Sequence, residues 1–278
     1  MKTNERIATM TPNAEELTDH AYWEGVWKRK DSPHWGDLGW VRHRYNWFAW
    51  DRLLRARLRP QKGERLLEVG CAGGKWLIYF HKTFGYSVTG CDYSETGCAT
   101  ARRNLRAAGI DGTILQRDLF SLTGEFDVIY SHGLIEHFNE PKSVLKKFVS
   151  LLRPASGTLI SIVPNLTGLS GFYNRLLKPE IFTTHRVITL DELSGWYKEI
   201  GLHAIEGGAL GSFVPFMFPR DKIRREHPRL YRFFWRACLG PLSWAANRLC
   251  IWLFRHVGIR IESPRFSPYL YAIGEKGG

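Results

Sequence analysis

The chain has 278 residues, with 39 Lys and Arg against 27 Asp and Glu, a net charge of +12 and 14% aromatic residues, including 11 Trp. That length suits one large domain, or one domain with an appendage. A composition of 44% hydrophobic and 24% charged residues excludes disordered and collagen-like classes.

The charge is unevenly spread. Residues 1–41 carry −2, residues 42–62 carry +6, residues 63–218 are neutral and residues 219–278 carry +8. The basic excess therefore flanks a neutral middle. The total alone does not separate a nucleic-acid partner from an anionic surface.

Cys71, Cys91, Cys98, Cys238 and Cys250 form no Cys-x-x-Cys pair, and no His cluster stands beside them at zinc spacing. This predicts reduced thiols, a cytosolic setting and no metal site. Residues 1–20 are polar, with no apolar run, so no signal peptide is expected. No window of ~20 residues is apolar and uncharged enough to predict a transmembrane helix.

Residues 1–18 read as a polar lead. Residues 19–62 are rich in rings: Tyr22, Trp23, Trp27, Trp35, Trp40, Tyr45, Trp47, Phe48 and Trp50. Residues 43–60 favour a helix ending near Pro60, with Arg52, Arg55 and Arg59 on one stripe. From Glu64 the pattern becomes strand–helix alternation. Strands are predicted at 65–69, 86–91, 113–116, 126–131, 158–163, 203–206 and 268–274. Helices are predicted at 75–83, 94–108 (Ser94 as N-cap), 142–152 and 190–200. Such alternation implies a mainly parallel sheet with helices on both faces, and a ligand at the carboxyl ends of its strands.

The first strand runs Leu66-Leu67-Glu68-Val69-Gly70-Cys71-Ala72-Gly73-Gly74. Small residues there let the backbone approach a ligand, and the next helix start favours a negative group. A tight turn alone would also require glycine. Asp92 closes the second strand, where a carboxylate can accept bonds from both ribose hydroxyls. It could instead cap the following helix, as could Ser94. Asp118 follows the third strand and could accept an adenine amine, or be a solvated loop acid.

Glu68-x-Gly70-x-Ala72-x-Gly74 resembles the first motif of class I S-adenosylmethionine-dependent methyltransferases, with alanine at the middle glycine. Residues 88–94 resemble the second motif and 126–138 the fourth. Leu151-Leu152-Arg153-Pro154, then Gly157-Thr158-Leu159-Ile160, resemble the approach to strand five. The likeness covers about 63–206, with the closing strand near 268–276. A dinucleotide site expects G-x-G-x-x-G, and Gly70-x-Ala72-x-x-Lys75 lacks that spacing.

The resemblance implies S-adenosyl-L-methionine as cofactor. It places Glu68 near the methionine amino group through water, with Gly70, Cys71, Ala72 and Gly74 in the turn lying against it. It puts Asp92 on the ribose, Tyr93 beside the adenine, Asp118 and Leu119 at the adenine edge, and Ser131 at the tip of strand four. Tyr22 and Trp27, in a pre-domain helix, become candidates for a ring near the sulfonium. Plain packing onto the sheet would also explain them.

The strand-four tip reads Ser131-His132-Gly133-Leu134-Ile135-Glu136-His137-Phe138. Histidine, with a reference pKa of ~6.5, is a workable base. In similar enzymes that methylate oxygen, the position of His137 lies at the active site. His137 and His132 are therefore the candidate catalytic residues, though packing would also account for either. The Asn/Asp-Pro-Pro-aromatic run of amino-methyltransferases acting on adenine or cytosine is absent here, which weighs against that nucleic-acid class and leaves other RNA methyltransferase types open.

Two insertions follow. Residues 166–185 resemble the acceptor-lining insertion of small-molecule enzymes, with His185 and Arg186 as candidate contacts. Residues 208–267 hold an aromatic run, the basic stretch Arg220, Lys222, Arg224, Arg225, Arg229, Arg232 and Arg236, and a Trp-rich helix at 242–257 with Asn247, Arg248 and Arg255 on one stripe. Basic residues beside such a helix describe an element on an anionic membrane, through 213–257, or a cap over the pocket.

The expected architecture is therefore α/β: a doubly wound, seven-stranded Rossmann-like methyltransferase sheet. An aromatic lid spans 1–62, the core 63–207, a helical insertion 208–267 and the last strand and tail 268–278. The expected activity is methyl transfer to a small-molecule, sugar or lipid-linked acceptor, at oxygen, by a cytoplasmic protein that is peripheral on a membrane. The alternatives are an RNA methyltransferase using the basic blocks and a cofactor-binding, inactive scaffold at the membrane.

Overall fold

The structure, a computed structural model, describes residues 16–29, 38, 39, 41, 44–60, 63–212, 229, 233 and 240–277. Trp35, Trp40, Cys238 and the basic stretch apart from Arg229 lie outside the described residues.

Helix α1 (His20–Lys28) starts where the Asp19 carboxylate accepts the Tyr22 N–H at 2.7 Å. Helix α2 (Tyr45–Arg57) is shorter than expected, because Arg44 and Leu58 are both extended. The core then runs β1 (Arg65–Val69), α3 (Lys75–Phe84), β2 (Ser87–Asp92), α4 (Glu95–Ala107), β3 (Thr113–Gln116), β4 (Val128–His132), α5 (Pro141–Leu151) and β5 (Thr158–Pro164). Helices α6 (Leu169–Leu177), α7 (Ile181–Thr184) and α8 (Leu190–Glu199) lead to β6 (Leu202–Leu210). After α9 (Gly240–Trp252) and a π-helical turn (Leu253–Val257), β7 (Tyr269–Lys276) closes the sheet.

The strand order is β3-β2-β1-β4-β5-β7-β6, parallel except for β7, which runs antiparallel to both neighbours. The order reverses between β1 and β4, so the cleft opens above their carboxyl ends. Alternate residues of each strand feed two cores. Leu66, Tyr130 and Ile160 meet Trp50, Tyr79 and Phe80 from α2 and α3 on one face. Leu67, Ile129 and Leu159 meet Val144, Phe148 and Tyr197 from α5 and α8 on the other.

Three differences from the sequence expectation have local causes. Strand β6 runs over Leu202–Leu210, beyond the expected 203–206, and passes through Gly207 and Gly208. A Cβ on Gly208 would stand 2.9 Å from the Tyr271 ring, so glycine admits the neighbouring strand. Phe126 makes only an isolated bridge to Leu152, because the Asp127 carboxylate binds the Arg65 N–H (2.7 Å) and Arg153 before β4 begins. Residues 166–185 fold into α6 and α7, tied to the approach of β7 by the buried Asn165, whose amide donates to the Pro264 and Ser267 carbonyls.

The Trp-rich helix α9 turns both of its tryptophans outward. Asn247 and Ile251 are buried, while Leu242, Trp244, Leu249 and Trp252 are exposed. Asn247 accepts the Tyr45 N–H at 2.7 Å and donates to the Ser243 carbonyl. It therefore caps α2 from the insertion, where Arg44 supplies no side-chain cap. The described cysteines, Cys71, Cys91, Cys98 and Cys250, are free thiols. Among the described residues no helix is long and apolar enough to cross a membrane.

Replacing Asn247 with Ala is expected to lower stability by about 1–2 kcal/mol in chemical denaturation, the worth of a buried helix cap. An unchanged midpoint would show that the insertion does not brace α2.

Candidate active site

A cavity of about 620 Å³ opens at the carboxyl ends of β1, β2 and β4. Its floor is the β1–α3 turn. Gly70, Gly73 and Gly74 take left-handed φ of +80°, +86° and +69°. Ala72 does not, which is why alanine serves where the family motif has glycine. The Cys91 carbonyl accepts the amides of Gly70 (2.8 Å) and Cys71 (3.2 Å).

Asp92 ties this turn to the next one. Its Oδ2 accepts the Ala72 N–H at 3.0 Å and its Oδ1 the Ser94 N–H at 2.9 Å. Burial raises its pKa while these amides lower it. Ser94 caps α4 through the Gly97 amide, so capping and bracing are divided between the two residues. Glu68 is buried at the end of β1, where its Oε2 accepts the Leu77 N–H at 3.1 Å. Burial pushes its carboxyl well above the ordinary value.

The N-terminal segment forms the roof. Glu24 accepts Ser94 Oγ (2.7 Å) and Thr96 Oγ1 (2.6 Å), and these bonds, Thr96 first, hold its pKa down at about 2. This latch lays α1 over the cavity, with the Trp27 ring beside Gly73. Tyr93 donates to Glu16 at 3.2 Å, and Leu17 N–H donates to the His137 carbonyl.

Two groups of rings complete the lining. In one, His132 stacks on Trp76 (5.2 Å, 23°) with Tyr269 edge-on, and its Nδ1 pairs with the Tyr130 hydroxyl at 3.0 Å. In the other, the His137 ring lies 4.2 Å from His185 and 4.8 Å from Trp23. Burial, then the neighbouring His185, lowers His137 to about 3; burial, then Lys75, lowers His132 to about 3. Both imidazoles are neutral at pH 7. Burial raises Glu136 to about 8, so it is largely protonated there. His137 Nδ1 and Glu136 Oε2 are buried without a hydrogen-bond partner. Glu136, His137 and His185 place one donor atom each within 4.8 Å of one another, a set that could also converge on a cation. The sequence showed no such cluster, because His185 arrives from α7, far along the chain.

Of the residues singled out from the sequence, Glu68, Gly70, Ala72, Asp92, Tyr93, Asp118, Leu119, Trp27, His132, His137 and His185 line this cavity. Cys71, Gly74, Ser131, Tyr22 and Arg186 do not. Cys71 is buried beneath the turn and Gly74 packs on Leu105 and Ala101. Ser131 is buried within β4, and Tyr22 is exposed, edge-on to Trp23. Arg186 instead donates to the Asn139 carbonyl. Trp23 rather than Tyr22 faces the chamber, one residue along α1. Lys75, Trp76 and Tyr269 are lining residues that the motifs did not mark.

Residues 40–206 match the methyltransferase domain family. The chain belongs to the class I S-adenosylmethionine-dependent methyltransferases. It is 27% identical over 161 residues to an O-methyltransferase of Pyrenophora dematioidea, covering 54% of this chain and 58% of that one. It is 28% identical over 151 residues to the ubiquinone biosynthesis O-methyltransferase of Pseudomonas aeruginosa strain LESB58, covering 50% and 65%. The chain thus spans less than two thirds of the length of these relatives. Haemonchus contortus phosphoethanolamine N-methyltransferase 2, solved with S-adenosyl-L-methionine, shares the fold at a TM-score of 0.52 and 16% identity, covering 82% of this chain and 52% of that one. The [4+2]-cyclase SpnF shares it at 0.51 and 17%, covering 82% and 79%. One fold therefore carries different reactions, and the site must supply the argument.

The residues present fit the family's cofactor. Asp92 keeps lone pairs beyond its two amide bonds, Tyr93 and Leu119 flank the space beyond it, and the turn holds no Cβ that blocks approach at Gly70. Asp92→Ala is expected to weaken binding of S-adenosylhomocysteine in calorimetry by at least tenfold, because a charge-assisted bond is worth about 1.5–3 kcal/mol. Unchanged affinity would remove Asp92 from the site.

Proposed function

We propose that this protein transfers a methyl group to a hydroxyl oxygen of an apolar or lipid-linked small molecule, working against a membrane surface. The observation that carries the reading is the neutral, buried His137 ring, which lines the cavity beside the His185 and Trp23 rings and whose Nδ1 has no hydrogen-bond partner. The O-methyltransferase relatives support oxygen as the acceptor atom.

S-adenosylmethionine supplies an electrophilic methyl carbon on a sulfonium. The protein supplies alignment and a base. Asp92 and the β1–α3 turn fix the ribose side, and Glu68 takes the amino group. His137 accepts the hydroxyl proton at Nδ1 as the oxygen becomes the nucleophile. His185 orients that ring, and Trp23 and Trp27 exclude water. His132, committed to Tyr130 and stacked on Trp76, walls the chamber instead of moving a proton.

Location is argued from α9. Its outer face exposes Leu242, Trp244, Leu249 and Trp252, with Phe172 and Leu176 exposed on α6. Arg248 lies over Trp244, Arg255 over Phe48 and Arg260 over Phe254. Residues 219–278 carry +8. Rings and leucines facing outward beside arginines suit the headgroup region of an anionic bilayer.

Incubation with methyl-labelled cofactor and fractionated cell extract should place label on oxygen in an organic-extractable product. His137→Ala should reduce kcat at least a hundredfold while leaving cofactor affinity within about twofold, within the usual span of general-base effects. Because His137 is held near 3, the wild-type rate should show no histidine limb near pH 6.5. Label in RNA, or full turnover by the variant, would overturn the reading.

Wild-type protein should float with vesicles containing phosphatidylglycerol, and the double variant Trp244→Glu, Trp252→Glu should not. Equal flotation would show that α9 is not the docking element.

A further inference from the structure

Two imidazoles and a carboxylate meet at the histidine end of the cavity. Glu136, His137 and His185 all line it, and one donor atom from each lies within 4.8 Å of the other two. Glu136 and His137 are only 1% and 4% exposed. Glu136 Oε2 and His137 Nδ1 are buried with no hydrogen-bond partner. Buried polar atoms are normally satisfied, so two bare acceptors in one cluster point to a ligand.

The third donor is prepared in the same way. His185 Nδ1 lies 3.1 Å from the Ile181 carbonyl oxygen, which can only accept. The proton is therefore on Nδ1, and Nε2 keeps its lone pair. A backbone carbonyl that fixes the tautomer is the usual support of a metal-binding histidine. The chain around the three residues is tied together. Arg186 N–H donates to the Glu136 carbonyl at 2.7 Å, and Leu17 N–H to the His137 carbonyl at 2.7 Å. Donors sharing one zinc ion at ~2.1 Å stand up to ~4.2 Å apart, so shifts of about half an ångström close the set. Two imidazoles with one carboxylate suit zinc and its transition-metal neighbours. Magnesium prefers oxygen ligands and keeps its waters. The cavity leaves a further coordination position open to a small molecule.

We propose that Glu136, His137 Nδ1 and His185 Nε2 bind one divalent transition-metal ion of the zinc class. The ion then holds the lone pair on which the hydroxyl proton would land, so it competes with base catalysis. This competition, unlike the binding itself, rests on the base proposed above.

The test starts from protein freed of metal by chelation. Calorimetric titration with zinc(II) should show one site per chain, with far weaker binding of magnesium(II). His185→Ala and Glu136→Gln should each weaken zinc more than tenfold, because even losing a ligand's own hydrogen-bond partner costs about 10–100-fold. Cobalt(II) reports the ligands of the wild-type chain without any variant: visible d–d bands and no thiolate charge transfer are expected. No zinc binding, unchanged zinc binding by both variants, equal affinity for magnesium, or cobalt–thiolate charge transfer would each overturn the site. With free zinc held at its dissociation constant, methyl-label transfer by wild-type protein should about halve. An unchanged or faster rate would overturn the competition. Absence of transfer without zinc, beside intact zinc binding, would instead overturn the proposed function.

Discussion

The carboxylate of Asp92 is the constraint on which the site depends. One oxygen holds the amide of Ala72 and the other the amide of Ser94, so a single side chain fixes the spacing of two strand–helix turns. A buried carboxylate is costly unless amides face it, and here they do. The spacing is tight: a Cβ on Gly90 would approach Cys71 Sγ to 2.6 Å. The roof depends on the same turn, since Glu24 grips Ser94 and Thr96 at the start of α4. The floor and the roof of the cavity are therefore both tied to one short stretch of chain, 92–96.

The histidine side of the cavity follows a different rule. It is built from neutral rings in a poorly solvated space, not from charges held by amides. Burial keeps His132 and His137 from protonating and lowers His185, and it raises Glu136 to about 8. The proposed acceptor, an apolar molecule with a hydroxyl, rests on this chamber. The exposed apolar face of α9 extends that preference to the outside of the molecule, and the buried Asn247 explains the orientation of the helix: its polar group is spent on capping α2. Residues 63–218, which contain β1–β6 and the histidines of the cavity, are neutral, so the +12 charge bears on the proposed docking and not on the proposed chemistry.

Much of this was legible from residue order. Strand–helix alternation and the run from Glu68 to Gly74 place β1 to β5 within a residue or two, because local periodicity and turn chemistry decide them. Asp92 and Asp118 were legible because the first ends a strand and the second follows one closely. What was hidden depends on distant partners. Strand β6 continues through glycine because Tyr271 lies across it. Trp23, not Tyr22, enters the chamber because the Asp19 cap sets the phase of α1. His185 reaches His137 only through the path of α6 and α7. The inward turn of Asn247 is a response to an uncapped helix 202 residues away in sequence.

The central claim is that one cavity orients the cofactor with its ribose on Asp92 and its sulfur towards the histidine chamber. A crystal structure with S-adenosylhomocysteine tests this most directly. The account predicts both ribose hydroxyls within hydrogen-bond distance of the Asp92 carboxylate and the sulfur facing Trp23 and His137. A ligand bound elsewhere, or with its sulfur turned away from His137, would contradict it.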